Sequence, residues 1–297
     1  MRLNIAFILT FSQLIAVNTL WAQTIDAGRG DLPLTVPSSY HADTPAPLIV
    51  MLHGYGHSGA TQDHYLKFSS LADQFGFLFV APDGQQETRG ERKSFWNASQ
   101  ACCNFYGSTD SDVDYIMTII NNIKSRYNID ANRVYLFGHS NGGFMSYRTA
   151  YENSHSIAAI ASLAGAEATV AGPPPQSPVH ILQIHGTADG TIAYDGDEIV
   201  GNSYPGAIET VERWAAYNGC DTEGSEEARL DLEKQLPGYD STVTRYDEGC
   251  KLGGSSELWT IIDGAHTPAI SDSFSENVIE WLMAHPKVTA DSANAAD

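Results

Sequence analysis

Basic residues are scarce in this chain. Only 16 of its 297 residues are Lys or Arg, against 36 Asp and Glu, which leaves a formal charge of −20 at pH 7. No run of cations occurs, and this excludes binding to nucleic acid or to an anionic lipid surface, both of which rest on concentrated positive charge. Cysteine is limited to four positions, with no Cys-x-x-Cys pair and no neighbouring His to complete a tetrahedral set. A zinc site of ordinary spacing is therefore excluded, and neither a metal nor an organic cofactor is expected. Beyond residue 22 no apolar run is long enough to span a bilayer. Internal repeats, low-complexity tracts and Pro/Ser/Thr-rich linkers are absent too, so residues 23–287 are expected to form one domain, with a flexible tail at 288–297.

What is present starts with a leader. Arg2 precedes an apolar run from Ile5 to Leu20, and Leu20 and Ala22 suit a cleavage site, so residues 1–22 read as a signal peptide. A secreted or periplasmic protein with no membrane attachment after cleavage is expected. Four cysteines in an exported chain point to two disulfides, for which three connectivities exist. Cys220 and Cys250 flank one polar segment and are the natural pair. Cys102 and Cys103 are adjacent, and either close a ring or stay reduced.

Apolar segments alternate between strand and helix spacing, the pattern of an α/β protein whose mostly parallel central sheet carries helices on both faces. Pro47–Leu52 is a continuous apolar strand, Phe77–Ala81 a second, and Ile157–Leu163, Val179–Ile184 and Leu258–Ile262 are three more. Tyr65, Phe68, Leu71, Ala72 and Phe75 recur at helical spacing, as do Ile116, Ile119, Ile120 and Ile123. The organising stretch is Arg133–Met145, where an apolar strand ends in Gly138-His139-Ser140-Asn141-Gly142 and passes into a helix. Gly-x-Ser-x-Gly between strand and helix is the pattern of a nucleophile elbow. The helix start behind Ser140 places the Asn141 N–H where it can stabilise an oxyanion.

Seven segments in order then carry a family resemblance: Pro47–Gly54, Trp96 with Cys102-Cys103, Asp112-Val113, Gly138–Gly143, His185–Asp189, Trp214–Cys220 and Gly264–His266. The chain resembles α/β-hydrolases, in particular secreted esterases grouped as feruloyl esterases and polyhydroxybutyrate depolymerases. Tyr55 stands where that family often has a cysteine, and Ser111–Asp114 replaces a paired-acid pattern. The resemblance and the chemistry assign the same triad. Ester hydrolysis needs a nucleophile, a base and an acid that holds the base, and Ser140, His266 and Asp189 follow strand ends in the chain order Ser, Asp, His. Asp195 and Asp197 are the alternative acids. His53, His139 and His185 read as loop-shaping hydrogen-bond partners.

The second oxyanion donor is expected to be the Tyr55 N–H, with Gly54 and Gly56 allowing close approach. Trp96, Phe105 and Tyr106 lie on one loop and are candidates for contact with the substrate, or else only bury that loop. The expected activity is a secreted serine carboxylic-ester hydrolase that works through an acyl-enzyme as a monomer. Its expected substrate is a hydroxycinnamoyl ester of polysaccharide. Small polyester oligomers such as hydroxybutyrate and acetyl-xylan-type esters are the alternatives. A serine peptidase of this fold usually carries an extra propeller or large lid domain, for which this chain leaves no room, and against a binding protein that had lost its chemistry stands the fact that every catalytic position is filled.

Overall fold

A computed structural model describes residues 23–167, 173–221 and 223–288. The leader expected at 1–22 and the tail residues 289–297 lie outside the described residues. In chain order the elements are β1 (Gln23–Asp26), β2 (Asp31–Thr35), β3 (Ala46–Leu52), α1 (Gly59–Leu66), α2 (Phe68–Phe75), β4 (Leu78–Val80), β5 (Gln85–Gln86), β6 (Ser94–Phe95), α3 (Asp112–Arg126), β7 (Ile129–His139), α4 (Asn141–Glu152), β8 (Ala159–Leu163), β9 (His180–Gly186), β10 (Gly196–Ile199), β11 (Asn202–Pro205), α5 (Ala207–Asn218), β12 (Ser225–Leu230), β13 (Ser241–Tyr246), β14 (Ser255–Ile261) and α6 (Phe274–Ala284).

One sheet of ten strands runs in the order β1-β2-β4-β3-β7-β8-β9-β14-β13-β12. From β4 to β14 every pairing is parallel, and antiparallel strands close both edges. Strands buried on two faces need no polar alternation, which is why β3, β8 and β9 read as near-continuous apolar runs. Successive residues of β3 feed opposite sides of the sheet. Leu48, Val50 and Leu52 join α3 and α4 through Ile116, Ile120 and Phe144. Ile49 and Met51 join α2 and α6 through Phe68, Phe274 and Val278.

Two local readings need correction. The helical spacing from Tyr65 to Phe75 spans two helices, because Lys67 turns left-handed at φ 58° between α1 and α2. The stretch between Cys220 and Cys250, which reads in sequence only as a polar segment, supplies β12 and β13 to the sheet edge. An edge strand half open to water can alternate Ser, Thr and Arg with Val and Tyr, so it lacks the apolar signal of a central strand.

The structure joins Cys220 to Cys250, 30 residues apart, and Cys102 to Cys103. The longer link ties the end of α5 to the turn between β13 and β14. Replacing Cys220 and Cys250 together by Ala is expected to lower unfolding free energy by about 3 kcal/mol, the cost of freeing a loop of that length. Denaturant midpoints of the wild-type and double-variant proteins check this, and equal midpoints would show that the link does not constrain the chain.

Candidate active site

The end of β7 makes a sharp turn into α4 at Ser140, whose φ of 54° and ψ of −120° are rare for any residue with a side chain. The two flanking glycines make the turn possible. A Cβ on Gly138 would stand 2.0 Å from the Gly142 carbonyl oxygen, and one on Gly142 would stand 2.1 Å from that of Leu52. Ser140 N–H donates to Leu163 O at 2.8 Å, pinning the turn to the neighbouring strand.

Two loops converge on this serine. The loop after β14 brings His266, whose Nε2 lies 3.0 Å from Ser140 Oγ. The turn after β9 brings Asp189, whose Oδ2 lies 2.8 Å from His266 Nδ1. Asp189 Oδ1 accepts from the N–H groups of Thr191 and Ile192 at 2.8 and 2.9 Å, which fixes the carboxylate plane. Burial alone would raise its pKa, but hydrogen bonds from His185, His266 and Thr191 outweigh that and hold the carboxyl below its ordinary value. Asp195, in the turn before β10, and Asp197, within β10, are both exposed.

The His266 loop is anchored on both sides. His139 Nε2 lies 3.1 Å from the His266 carbonyl oxygen, and the Tyr65 hydroxyl donates to Pro268 O at 2.6 Å. Burial first, and then the neighbouring His266, pushes His139 down to about 4. A neutral His139 therefore donates its Nε2–H to that carbonyl at ordinary pH. His53 has a comparable task at the end of β3, where Nδ1 meets Gly54 O at 2.8 Å and Nε2 accepts from Gly84 N–H at 2.9 Å.

The Asn141 N–H belongs to the first turn of α4, where no intrahelical partner exists. The Tyr55 N–H has no hydrogen-bond partner among the described residues. The Tyr55 hydroxyl donates to Glu87, a buried carboxylate that sequence reasoning did not single out. Burial, followed by Glu87, pushes the Tyr55 phenol above its ordinary pKa, so the group stays a donor. Phe105 packs edge-on against Tyr55 at 5.4 Å, and Phe105 and Tyr106 are 40% and 47% exposed. Tyr106 and Glu87 also line a groove of about 400 Å³ with Gln85, Thr88 and Asp110.

Trp96 corrects the expectation that it contacts substrate, because its side chain is fully buried. Its indole N–H donates to His53 O at 3.0 Å. Its backbone N–H and C=O are both bonded by the Asn141 side chain, at 2.7 and 3.0 Å. The aromatic ring thus props the loop that carries Tyr55 against the start of α4. Sequence reasoning also passed over Gln183 and Tyr147, hydrogen-bonded to each other beneath Asp189 at 2.8 Å. A polar residue interrupting the apolar run of β9 was the available signal.

A doubly covered, mostly parallel sheet with a serine elbow, and with histidine and aspartate on later loops, defines an α/β-hydrolase. Residues 39–212 match the phospholipase/carboxylesterase family, and the chain belongs to it. It is 33% identical over 168 residues to a bifunctional acetylxylan esterase/xylanase of Neocallimastix patriciarum, covering 57% of this chain and 22% of that protein. With feruloyl esterase B of Piromyces equi it shares 29% identity over 240 residues, covering 77% of this chain and 41% of the relative. The chain thus spans less than half the length of either relative. Among solved structures, an acetyl xylan esterase from Aspergillus awamori superposes with a TM-score of 0.59 at 16% identity, over 88% of this chain and 98% of that one. At that identity the likeness is one of fold.

Proposed function

We propose that the protein is a serine carboxylic-ester hydrolase that forms an acyl-enzyme, with hydroxycinnamoyl esters of polysaccharide as its substrate class. The observation that carries this reading is the unbroken chain from Ser140 Oγ through both ring nitrogens of His266 to Asp189, at 3.0 and 2.8 Å. Ser140 Oγ attacks the ester carbonyl carbon while His266 Nε2 takes its proton. Asp189 holds the resulting imidazolium in place, and the N–H groups of Tyr55 and Asn141 face the oxyanion. As the tetrahedral intermediate collapses, His266 returns the proton to the leaving alcohol. A water then attacks the acyl-serine by the same route, and the acid leaves. Neither step calls for a metal or an organic group.

The aromatic side chains near Tyr55 support an aromatic acyl group, since Phe105 packs edge-on against the Tyr55 ring and both Phe105 and Tyr106 stay exposed. An acetyl ester of xylan is the second reading, favoured by the acetylxylan esterase relative. Export, with removal of residues 1–22 and a single unit over 23–287, belongs to the same proposal. Two disulfides support it, because such links persist in oxidising compartments. No helix among the described residues is long and apolar enough to cross a membrane.

Kinetics on methyl ferulate, acetylated xylan, hydroxybutyrate trimer and nitrophenyl acetate test the ranking. Methyl ferulate is expected to give the highest kcat/KM among the first three. Replacing Phe105 and Tyr106 by Ala is expected to lower that value about tenfold and to leave nitrophenyl acetate within about twofold. Faster attack on acetylated xylan, unaffected by the two replacements, would select the acetyl reading instead.

A further inference from the structure

The carboxylate of Asp189 has one contact that the triad itself does not explain. His185 Nε2 lies 3.3 Å from Asp189 Oδ2, the same oxygen that meets His266, and 2.9 Å from the Ile192 carbonyl oxygen. Whether this contact attracts or repels depends on which ring nitrogen holds the hydrogen, since a bare nitrogen would face two oxygens. The other nitrogen, Nδ1, lies 2.9 Å from Gln183 Nε2. An amide nitrogen only donates, so Nδ1 accepts and the hydrogen sits on Nε2, aimed at Ile192 O and Asp189.

The Gln183 amide has no freedom to reverse this. Its Nε2 also donates to Gly165 O at 2.7 Å, and its Oε1 accepts the Tyr147 hydroxyl at 2.8 Å. A flipped amide would set oxygen against oxygen at Gly165. Tyr147, Gln183 and His185 are each at most 1% exposed. An amide held this deep in a parallel sheet costs free energy that an apolar side chain would not, and only a fully bonded network offsets it.

We propose that Tyr147, Gln183 and His185 form a positioning relay that keeps the His185 hydrogen on Nε2 and thereby holds Asp189 Oδ2 in line with His266 Nδ1. The inference rests on the serine-hydrolase reading and deepens it. The relay joins the two elements that must keep register for the chemistry, because Tyr147 lies on the helix that begins behind Ser140, whereas Gln183 and His185 lie on the strand that delivers Asp189. The titratable groups around it are His266 and His139 on the loop side, Tyr194 and Tyr204 beside Asp189 and His185, and Glu167 beyond Tyr147.

Three substitutions test it in the full chain. Gln183→Leu frees the His185 tautomer and is expected to lower kcat about tenfold with KM within about twofold. Gln183→Glu sets a carboxyl oxygen where the amide nitrogen served both Gly165 O and His185 Nδ1; the single proton of a neutral carboxyl satisfies only one of them, so kcat is expected to fall about tenfold with KM within about twofold. Tyr147→Phe removes only one hydroxyl and is expected to lower kcat by about threefold, again at constant KM. If Gln183→Leu does not fold, Tyr147→Phe and Gln183→Glu decide the matter. Wild-type kcat in the folded variants, with equal rates of fluorophosphonate labelling, would overturn the relay alone. A wild-type protein that neither labels at Ser140 nor hydrolyses any ester would overturn the serine reading and the relay with it.

Discussion

Ser140→Ala is expected to reduce ester turnover by about a thousandfold or more while leaving the protein folded. The hydroxyl removed makes a single side-chain hydrogen bond, to His266. Alanine keeps the same Cβ at φ 54°, so the elbow meets no new strain. His266→Ala should fall as far, because without the base the hydroxyl remains a weak nucleophile. Asp189→Asn should fall less. The amide preserves the shape of the acid and can still accept from Thr191 or Ile192, but it no longer stabilises an imidazolium. Turnover of nitrophenyl esters, thermal melting and intact-mass detection of a fluorophosphonate adduct separate loss of chemistry from loss of fold. An Ala variant at Ser140 with near-full activity in a purified sample would remove the whole catalytic assignment.

The residues that were legible in the sequence share a physical property, which is that their role is set locally. The elbow is a strand, two glycines forced by backbone approach and a helix, all within one short stretch. Central strands such as β3 are apolar on both faces, so their burial shows in composition alone. The expected family and fold follow from these features and agree with the chain's place among the carboxylesterases. What was not legible depends on partners distant in sequence. β12 and β13 are strands because β14 offers them an edge, and their polar alternation resembles a loop until that edge is known. Glu87 and Gln183 are surface-type residues by chemistry. They are buried because Tyr55 and Tyr147 reach them across 32 and 36 residues. No spacing rule within one element would have joined those pairs.

Trp96 separates the two kinds of reading most sharply, and its replacement should act on stability and kcat rather than on substrate affinity. Trp96→Ala empties a fully buried indole site between His53 and Tyr115, for which a loss of about 3–5 kcal/mol is expected. Trp96→Phe keeps most of the volume but leaves the His53 carbonyl without its indole donor, at a cost of about 1–3 kcal/mol. His53 lies two residues before Tyr55, so that carbonyl helps set where the Tyr55 N–H points. A loosened loop would weaken oxyanion stabilisation, which operates in the transition state, and kcat should fall about tenfold with KM nearly constant. Asn141→Ala offers an independent approach from the other side of the contact. It cuts both side-chain bonds to the Trp96 backbone and leaves the Asn141 N–H in place, so a similar fall in kcat would come from loop displacement and not from a lost donor. A ring that stacked on an aromatic acyl group would behave in the opposite way: Trp96→Phe would raise KM for methyl ferulate, spare nitrophenyl acetate and leave the melting temperature unchanged. That outcome would mean the indole faces the substrate, and Trp96 would return to the binding site.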